Sequence, residues 1–407
     1  MPQLRTLDLF TGIGGLTRAL HGLARPVAYC DWAPTSRATL GALFDRKLLP
    51  RAPVSPDVRK ISKKWLKREV GNARVDMIVA GFPCTGFSTV GNQDAFENDQ
   101  SGLFSEILRL ADELDCPFLF LENVPNVLNI GMHDITRALS KKRGYELRWT
   151  ISSAQMVGAP HIRARWFCLA VRPGVHHVWR APSAYRPYGW GEKGVKEPAR
   201  STLQNLSLDG LRKEMLGNSV VPDAVRYAFL YLVSRCAIAP ATLDTRAGLS
   251  IVPAPARYDK RDMPKPREWP RTAVMTVDRE LLEPAMPLPP FRPPYRERIV
   301  LDPAAFKHRG TLNPRMTSGV LPRPVVRYSW ATPRHANVRP ASFLTRRCVC
   351  DLATQVRFAR STPAALRKGR LSAEFTEYLM GYPIGWTVLD AERLRREKAV
   401  SAEHGYS

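Results

Sequence analysis

Two stretches of this chain carry side chains able to do covalent or acid–base chemistry. In Gly81-Phe82-Pro83-Cys84-Thr85-Gly86-Phe87-Ser88 a cysteine follows the apolar run VDMIVA. The pattern predicts Cys84 at the C-terminal end of a strand, where open α/β sheets bind their ligands. Between a proline and a Gly/Ser-rich loop, its sulfur is exposed among backbone donors that favour a thiolate nucleophile. In FLFLENV, Glu122 ends a second, wholly apolar run. Apolar neighbours raise a carboxyl pKa and let the group donate a proton near neutrality. Taken singly, each has a plainer reading, a structural thiol and a solvated strand terminus.

A third stretch, Asp8-Leu9-Phe10-Thr11-Gly12-Ile13-Gly14-Gly15, suits a tight strand-to-helix turn approaching a nucleotide-like ligand. Asp31 ends the next apolar run, 17 residues after Gly14. A carboxylate there accepts hydrogen bonds from ribose hydroxyls, and Trp32 beside it can stack on an adenine. A plain turn satisfies the same pattern. Seven cysteines spread along the chain make no disulfide framework, and Cys348-x-Cys350 lacks a second ligand pair at zinc spacing. They read as reduced thiols, and no metal is expected.

The order matters more than any single motif: Gly-rich turn, Pro-Cys, Glu-Asn-Val, Arg163-x-Arg165, then Gly217-Asn218-Ser219-Val220. This set resembles the DNA (cytosine-5)-methyltransferase family over residues 5–172 and 215–230. The resemblance implies methyl transfer from S-adenosyl-L-methionine to carbon 5 of cytosine in double-stranded DNA. By analogy Cys84 adds to carbon 6, Glu122 bonds N3 and the exocyclic amine, and Arg165, with Arg163 near it, holds the cytosine O2 and supports the active-site loop. Phe10, Gly12, Ile13, Gly14 and Gly15 would surround the methionine part, Asp31 the ribose, Trp32 the adenine ring, and Asp57 with Val58 the adenine amino group. Pro83, Leu103, Asn218 and Val220 complete the implied cofactor pocket. The chain departs from the family at His161, where Gln is usual, and at Asp31, where Glu is more frequent. The same chemistry on tRNA and a catalytically silent DNA-binding homologue are the alternatives. The tRNA enzymes typically carry Pro-Pro-Cys where this chain has Phe82-Pro83-Cys84.

These groups need elements to hold them. Over 1–172, apolar runs of four to seven residues alternate with helix-length stretches, which predicts parallel strands covered on both faces, a doubly wound α/β domain. In the terms of the resemblance this is a Rossmann-like methyltransferase domain. The polar segment Ser88–Ser101 is expected to close over a cytosine extruded from the duplex, since a stacked base cannot be reached. Residues 173–214 read as an irregular connection, and 215–235 as a closing motif whose helix starts at Pro222. Residues 236–300 read as a linker or wrapping arm, because 11 prolines in 251–300 exclude long helices and central strands.

The family places its recognition domain before Gly-Asn-Ser-Val, but here that interval is short and the mass follows it. Residues 301–387 therefore read as a smaller, basic, Pro/Arg-rich DNA-recognition region. Its bracing segment is 371–387, an amphipathic helix ending in Gly-Tyr-Pro, and 388–407 is a charged tail. Arg323, Arg327, Arg334, Arg339, Arg346 and Arg347 are its expected phosphate and base contacts.

Composition agrees with a polyanionic partner. The 407 residues hold 61 Lys+Arg against 37 Asp+Glu, a net charge of +24, and 46 of the 61 are Arg. Between 303 and 370, 14 basic residues meet one acid, Asp351. No apolar run reaches bilayer length and no signal-peptide pattern opens the chain. A monomeric, cytoplasmic or nuclear protein without membrane contact is expected, and nothing in the residues names a cognate restriction endonuclease.

Overall fold

The computed structural model describes residues 3–83, 102–175, 185–190, 192, 194–203, 208–234, 249–252, 269–275, 281–284, 299–301, 325–327, 330, 333, 352–358 and 369–403. Its first half runs β1 (Leu4–Leu9), α1 (Gly15–Ala19), β2 (Ala24–Cys30), α2 (Pro34–Asp45), β3 (Val54–Ser55), α3 (Lys63–Val70) and β4 (Met77–Gly81). It continues through α4 (Gly102–Glu113), β5 (Phe118–Asn123), the short α5 (Val127–Ile130) and α6 (Met132–Thr136), β6 (Glu146–Ser153) and β7 (Ala164–Val171). Then come β8 (Ser201–Thr202), α7 (Asp209–Asn218), α8 (Pro222–Ser234), β9 (Leu249–Val252), β10 (Ala273–Met275), β11 (Leu281–Pro284), β12 (Ile299–Leu301) and β13 (Val325–Arg327). The last elements are α9 (Leu352–Phe358), β14 (Arg370–Leu371), α10 (Ala373–Met380) and α11 (Ala391–Glu403).

Ten strands make one sheet in the order β3-β2-β1-β4-β5-β7-β6-β10-β11-β9. Alternate residues of a strand point to opposite faces, and here both faces are buried. Leu7, Ile78, Ala80, Leu119, Leu121, Trp166 and Cys168 pack against α3 to α6 on one side. Met77, Val79, Phe118, Phe120, Phe167 and Leu169 pack against α1 and α8 on the other. Two-sided burial is why these strands read as continuous apolar runs rather than alternating ones. The strands from β3 to β5 are parallel, as read from the sequence.

Beyond β5 the direction differs from that reading: β7 runs antiparallel to both β5 and β6. Only residues 154–163 join β6 to β7, and a parallel return needs a crossover of roughly a dozen residues or more. An apolar run buried on both faces reads the same in either direction, so the pattern RWFCLAV could not reveal this.

The later segments also take definite places. The stretch expected to be irregular to residue 214 gives way to α7 at Asp209. The Pro-rich stretch, expected to hold no central strand, has β10 between β6 and β11, and β9 continues the sheet outward; residues 271–283 carry no proline, so strands of three or four residues form there. The helix expected over 371–387 spans only 373–380. It stops because Gly381 takes a left-handed φ of 74° and Tyr382 N–H closes back on the Glu377 carbonyl at 2.9 Å. Residues 391–403, expected as a charged tail, form α11 against α2.

A third apolar cluster gathers Ile13, Tyr29, Leu40 and Leu43 from the first half with Leu216, Phe375, Leu379, Tyr382 and Trp386 from the second. The C-terminal segment is thus part of the same core. Among the described residues no helix is long and apolar enough to cross a membrane.

Candidate active site

Because β1, β2, β4 and β5 are parallel neighbours, Phe10, Asp31, Gly81 and Glu122 meet at one end of the sheet. Strand order reverses around β1, between β2 and β4, which opens a crevice at the strands' carboxyl ends. A cavity of about 280 Å³ occupies it, lined by residues of the Gly-rich turn, the Asp31–Ser36 segment, Gly81, Glu122 and the end of α7.

The Gly-rich turn is built from left-handed backbone: Phe10 has φ 55° and Gly12 φ 56°. Thr11 pins it, its N–H donating to the Cys30 carbonyl (3.0 Å) and its hydroxyl to the Asp8 carbonyl (2.8 Å). A Cβ on Gly12 would meet nothing within 4 Å, so the backbone there faces open space. Asp31 sits opposite. Its carboxylate accepts from Gly12 N–H (2.7 Å) and from Ala33 N–H (2.9 Å). Burial pushes this carboxyl above its usual range against those two bonds.

At the other end, Glu122 Oε1 is 3.1 Å from Arg165 Nε. Burial raises the Glu122 pKa, opposed by the charges of Arg165 and Arg163. A carboxyl poised in this way keeps or releases a proton in response to what lies against it. Asn123, the middle residue of Glu-Asn-Val, donates from Nδ2 to the Phe82 carbonyl at 3.1 Å. It thereby fixes the chain two residues before Cys84. Cys84 itself, the segment Ser88–Ser101, and the side chains of Arg323, Arg327, Arg334, Arg339, Arg346 and Arg347 lie outside the described residues.

Of the residues expected at the site, Phe10, Gly12, Ile13, Gly15, Asp31, Trp32, Glu122, Asn218 and Val220 line the cavity. Trp32 stands at its rim, 65% exposed. Others do not line it. Gly14 is buried behind the turn, where a Cβ would come 2.3 Å from Leu49 Cδ1. Asp57 caps its own turn by accepting from Arg59 N–H, and Val58 packs in the core beneath. Leu103 packs against that core from α4, and Pro83 is exposed.

Arg163 departs most from the expectation of contact with the base. Its guanidinium is directed to main-chain carbonyls, Gly217 at 2.9 Å, Pro333 at 2.8 Å, and Ser219. It clamps the Gly-Asn-Ser-Val turn instead. The sequence reading missed the cavity residues Thr35, Ser36, Glu214 and Met215. They lie on two helices that only tertiary packing brings to the sheet end, and no spacing signal marks them.

The donor set fits an adenosine with a charged amino-acid tail. A carboxylate held by two amides retains lone pairs for a diol, an exposed indole flanks it, and Phe10, Ile13 and Val220 supply apolar wall. Among the described residues no three His, Cys, Asp or Glu side chains gather as for a metal ion.

Residues 4–228 match the model of the family described as C-5 cytosine-specific DNA methylase. The type II methyltransferase M.CviJI of Paramecium bursaria Chlorella virus IL3A is 34% identical over 229 residues, 56% of this chain and 59% of that protein. The type II methyltransferase M.MspI of a Moraxella species is 29% identical over 189 residues, 44% of this chain and 42% of that protein. The chain thus spans about half the length of these curated relatives. The solved Dnmt2 methyltransferase of S. pombe aligns at 22% identity and a TM-score of 0.36, covering 44% of this chain and 53% of that one.

Proposed function

Since the chain belongs to the C-5 cytosine-specific DNA methylase family, we propose that it methylates carbon 5 of cytosine in double-stranded DNA, with the target base swung out of the helix into the crevice. The observation that carries the proposal is the buried Glu122, paired with Arg165, at the mouth of the cavity that also holds Asp31.

When bound, S-adenosylmethionine supplies the electrophilic methyl carbon. Asp31 would hold the ribose hydroxyls, Trp32 the adenine ring, and Phe10, Gly12, Ile13 and Gly15 the methionine part, with Asn218 and Val220 closing the far wall. Cytosine carbon 5 is a poor nucleophile, so the Cys84 thiolate first forms a bond to carbon 6 and the ring's electron pair moves toward carbon 5. Glu122 donates a proton to N3 and accepts from the exocyclic amine, which stabilises the altered ring. A carboxyl raised by burial suits that step. Arg165 anchors Glu122 and would hold O2 of the extruded base. Carbon 5 takes the methyl group, which leaves S-adenosylhomocysteine; the carbon 5 proton then passes to water, the C–H electron pair re-forms the 5,6 double bond, the sulfur–carbon pair returns to Cys84 as thiolate, and N3 gives its proton back to Glu122.

We place the DNA-reading part in 301–370, after the closing motif. Two contacts support its nearness to the chemistry: Trp330 N–H donates to the Pro160 carbonyl (2.8 Å), and Arg163 reaches the Pro333 carbonyl. Both join that region to the turn that carries Arg163 and leads into β7, where Arg165 lies. The deciding experiment incubates the chain and S-adenosylmethionine with duplex DNA containing 5-fluorocytosine, whose carbon 5 cannot lose a proton. A denaturation-resistant adduct is expected from the native chain and none from Cys84→Ser. An adduct from the variant would refute Cys84 as nucleophile, and transfer to tRNA but to no duplex would refute the DNA assignment.

A further inference from the structure

Outside the cavity, one buried arginine connects the Asp31–Trp32 turn with the last helix of the chain. Arg37, on α2, is 4% exposed. Its Nη1 donates to the carbonyls of Trp32 (2.6 Å) and Asp31 (3.2 Å). Its Nε donates to Glu397 Oε2 (2.8 Å), and its Nη2 to the Glu397 carbonyl (3.0 Å) and Ser401 Oγ (2.7 Å). One planar guanidinium therefore holds the turn on one edge and α11 on the other. Its donors form a rigid fork, so a shift on one edge is transmitted to the other. A buried guanidinium that lost its α11 partners would turn toward other acceptors or water, since an unpaired buried charge is costly.

The docking of α11 is specific and mostly polar. Only Leu394 and Ser401 of the helix are buried, too little apolar surface to hold it in place alone. A second contact lies farther along α2, where Arg393 crosses over Gly41 and pairs with Asp45. A Cβ on Gly41 would stand 2.2 Å from Arg393 Nη1, so the small residue makes room for that crossing.

We propose that α11 is a strut of the cofactor site: acting through the positioning residue Arg37, it fixes the Asp31–Trp32 turn and so sets how tightly the chain binds S-adenosylmethionine. This rests on the cofactor reading above. It makes Glu397 and Ser401, the first of them 360 residues from Arg37, the support of the first ligand-binding turn, while Arg393 only holds the helix against α2 farther along.

Calorimetric titration of the full chain with S-adenosylhomocysteine tests it. Glu397→Ala/Ser401→Ala should weaken binding about tenfold, the worth of hydrogen bonds to a charged group. The KM for S-adenosylmethionine should rise in parallel while kcat at saturation stays. Glu397→Gln, which keeps an acceptor for Nε, should restore most of the affinity. Arg393→Ala, which loosens the same helix away from the turn, should lower the melting temperature yet leave affinity within about twofold. Affinity unchanged in the double variant, or lowered equally by Arg393→Ala, would overturn the strut. Failure of the unaltered chain to bind S-adenosylhomocysteine would instead overturn the cofactor reading, and the strut with it.

Discussion

Three buried ionisable residues near the site show how burial assigns different work to similar groups. Glu122 faces the cavity, and burial raises its pKa, as the proposed proton donation requires. Asp8, on β1, accepts from Thr17 Oγ1 at 2.5 Å, while its Oδ1 has no partner among the described residues. Burial pushes it up to about 7 from an ordinary 3.8, against the Thr17 and Thr11 hydroxyls. The folded chain then binds this proton more tightly than the unfolded one, so stability is lost as pH rises from about 4 to about 7 and levels off above. Asp8→Asn has no such slope. Its stability relative to the native chain should improve by on the order of 2–4 kcal/mol between pH 4.5 and pH 8, read from paired denaturant melts; a difference independent of pH would refute it. His161 is pushed the other way, down to about 3, chiefly by burial. Neutral, its Nε2 donates to the Leu379 carbonyl at 2.8 Å. An amide side chain can do the same, so this carbonyl would equally serve the Gln that the family resemblance implies at this position.

At the scale of elements, the segment after α10 packs beneath the Gly-rich turn. Trp386 Nε1 donates to the Ile13 carbonyl (2.9 Å) and the Tyr382 hydroxyl to the Val220 carbonyl (3.0 Å). The α10 helix is tied to α7 through Glu377, which accepts from Arg212 Nη2 (3.2 Å) and from the Thr387 N–H (2.7 Å). This closeness explains Gly15, where a Cβ would stand 2.4 Å from the Tyr382 hydroxyl and 2.7 Å from Val220 Cγ2. Gly15→Ala should cost about 1–3 kcal/mol by overpacking. Tyr382→Phe removes one of the two contacted atoms, so the double variant should cost less than the sum of the singles. Additive losses in chemical denaturation would show that the two elements do not press on each other.

The whole molecule sets the limit on dissecting it. The tail from 236 carries +13 and all of the DNA-reading candidates, and removing it after residue 240 looks like a direct test of recognition. But Phe375, Leu379, Tyr382 and Trp386 are fully buried in the cluster that includes Ile13 and Tyr29. A chain ending at 240 should therefore lose its cooperative thermal transition, with no statement about DNA. Arg339→Gln/Arg346→Gln/Arg347→Gln should keep that transition and flatten the dependence of DNA affinity on salt, by up to about three in the log–log slope. A truncated chain that still melts cooperatively would remove the C-terminal segment from the core.

By itself the sequence determined the parallel strands, the Gly-rich turn, Asp31 and Glu122 at strand ends, and the family, because each is local: an apolar period, a turn composition, a motif order. It did not reveal the reversal of β7, since two-sided burial erases direction. Nor could it separate Arg163 from Arg165, two residues apart on one motif, one clamping carbonyls and the other meeting Glu122. Only the tertiary structure brought Thr35, Glu214 and Met215 to the cavity and laid the final helix on Arg37. Contacts between residues hundreds of positions apart depend on where packed elements meet, and no local pattern encodes that.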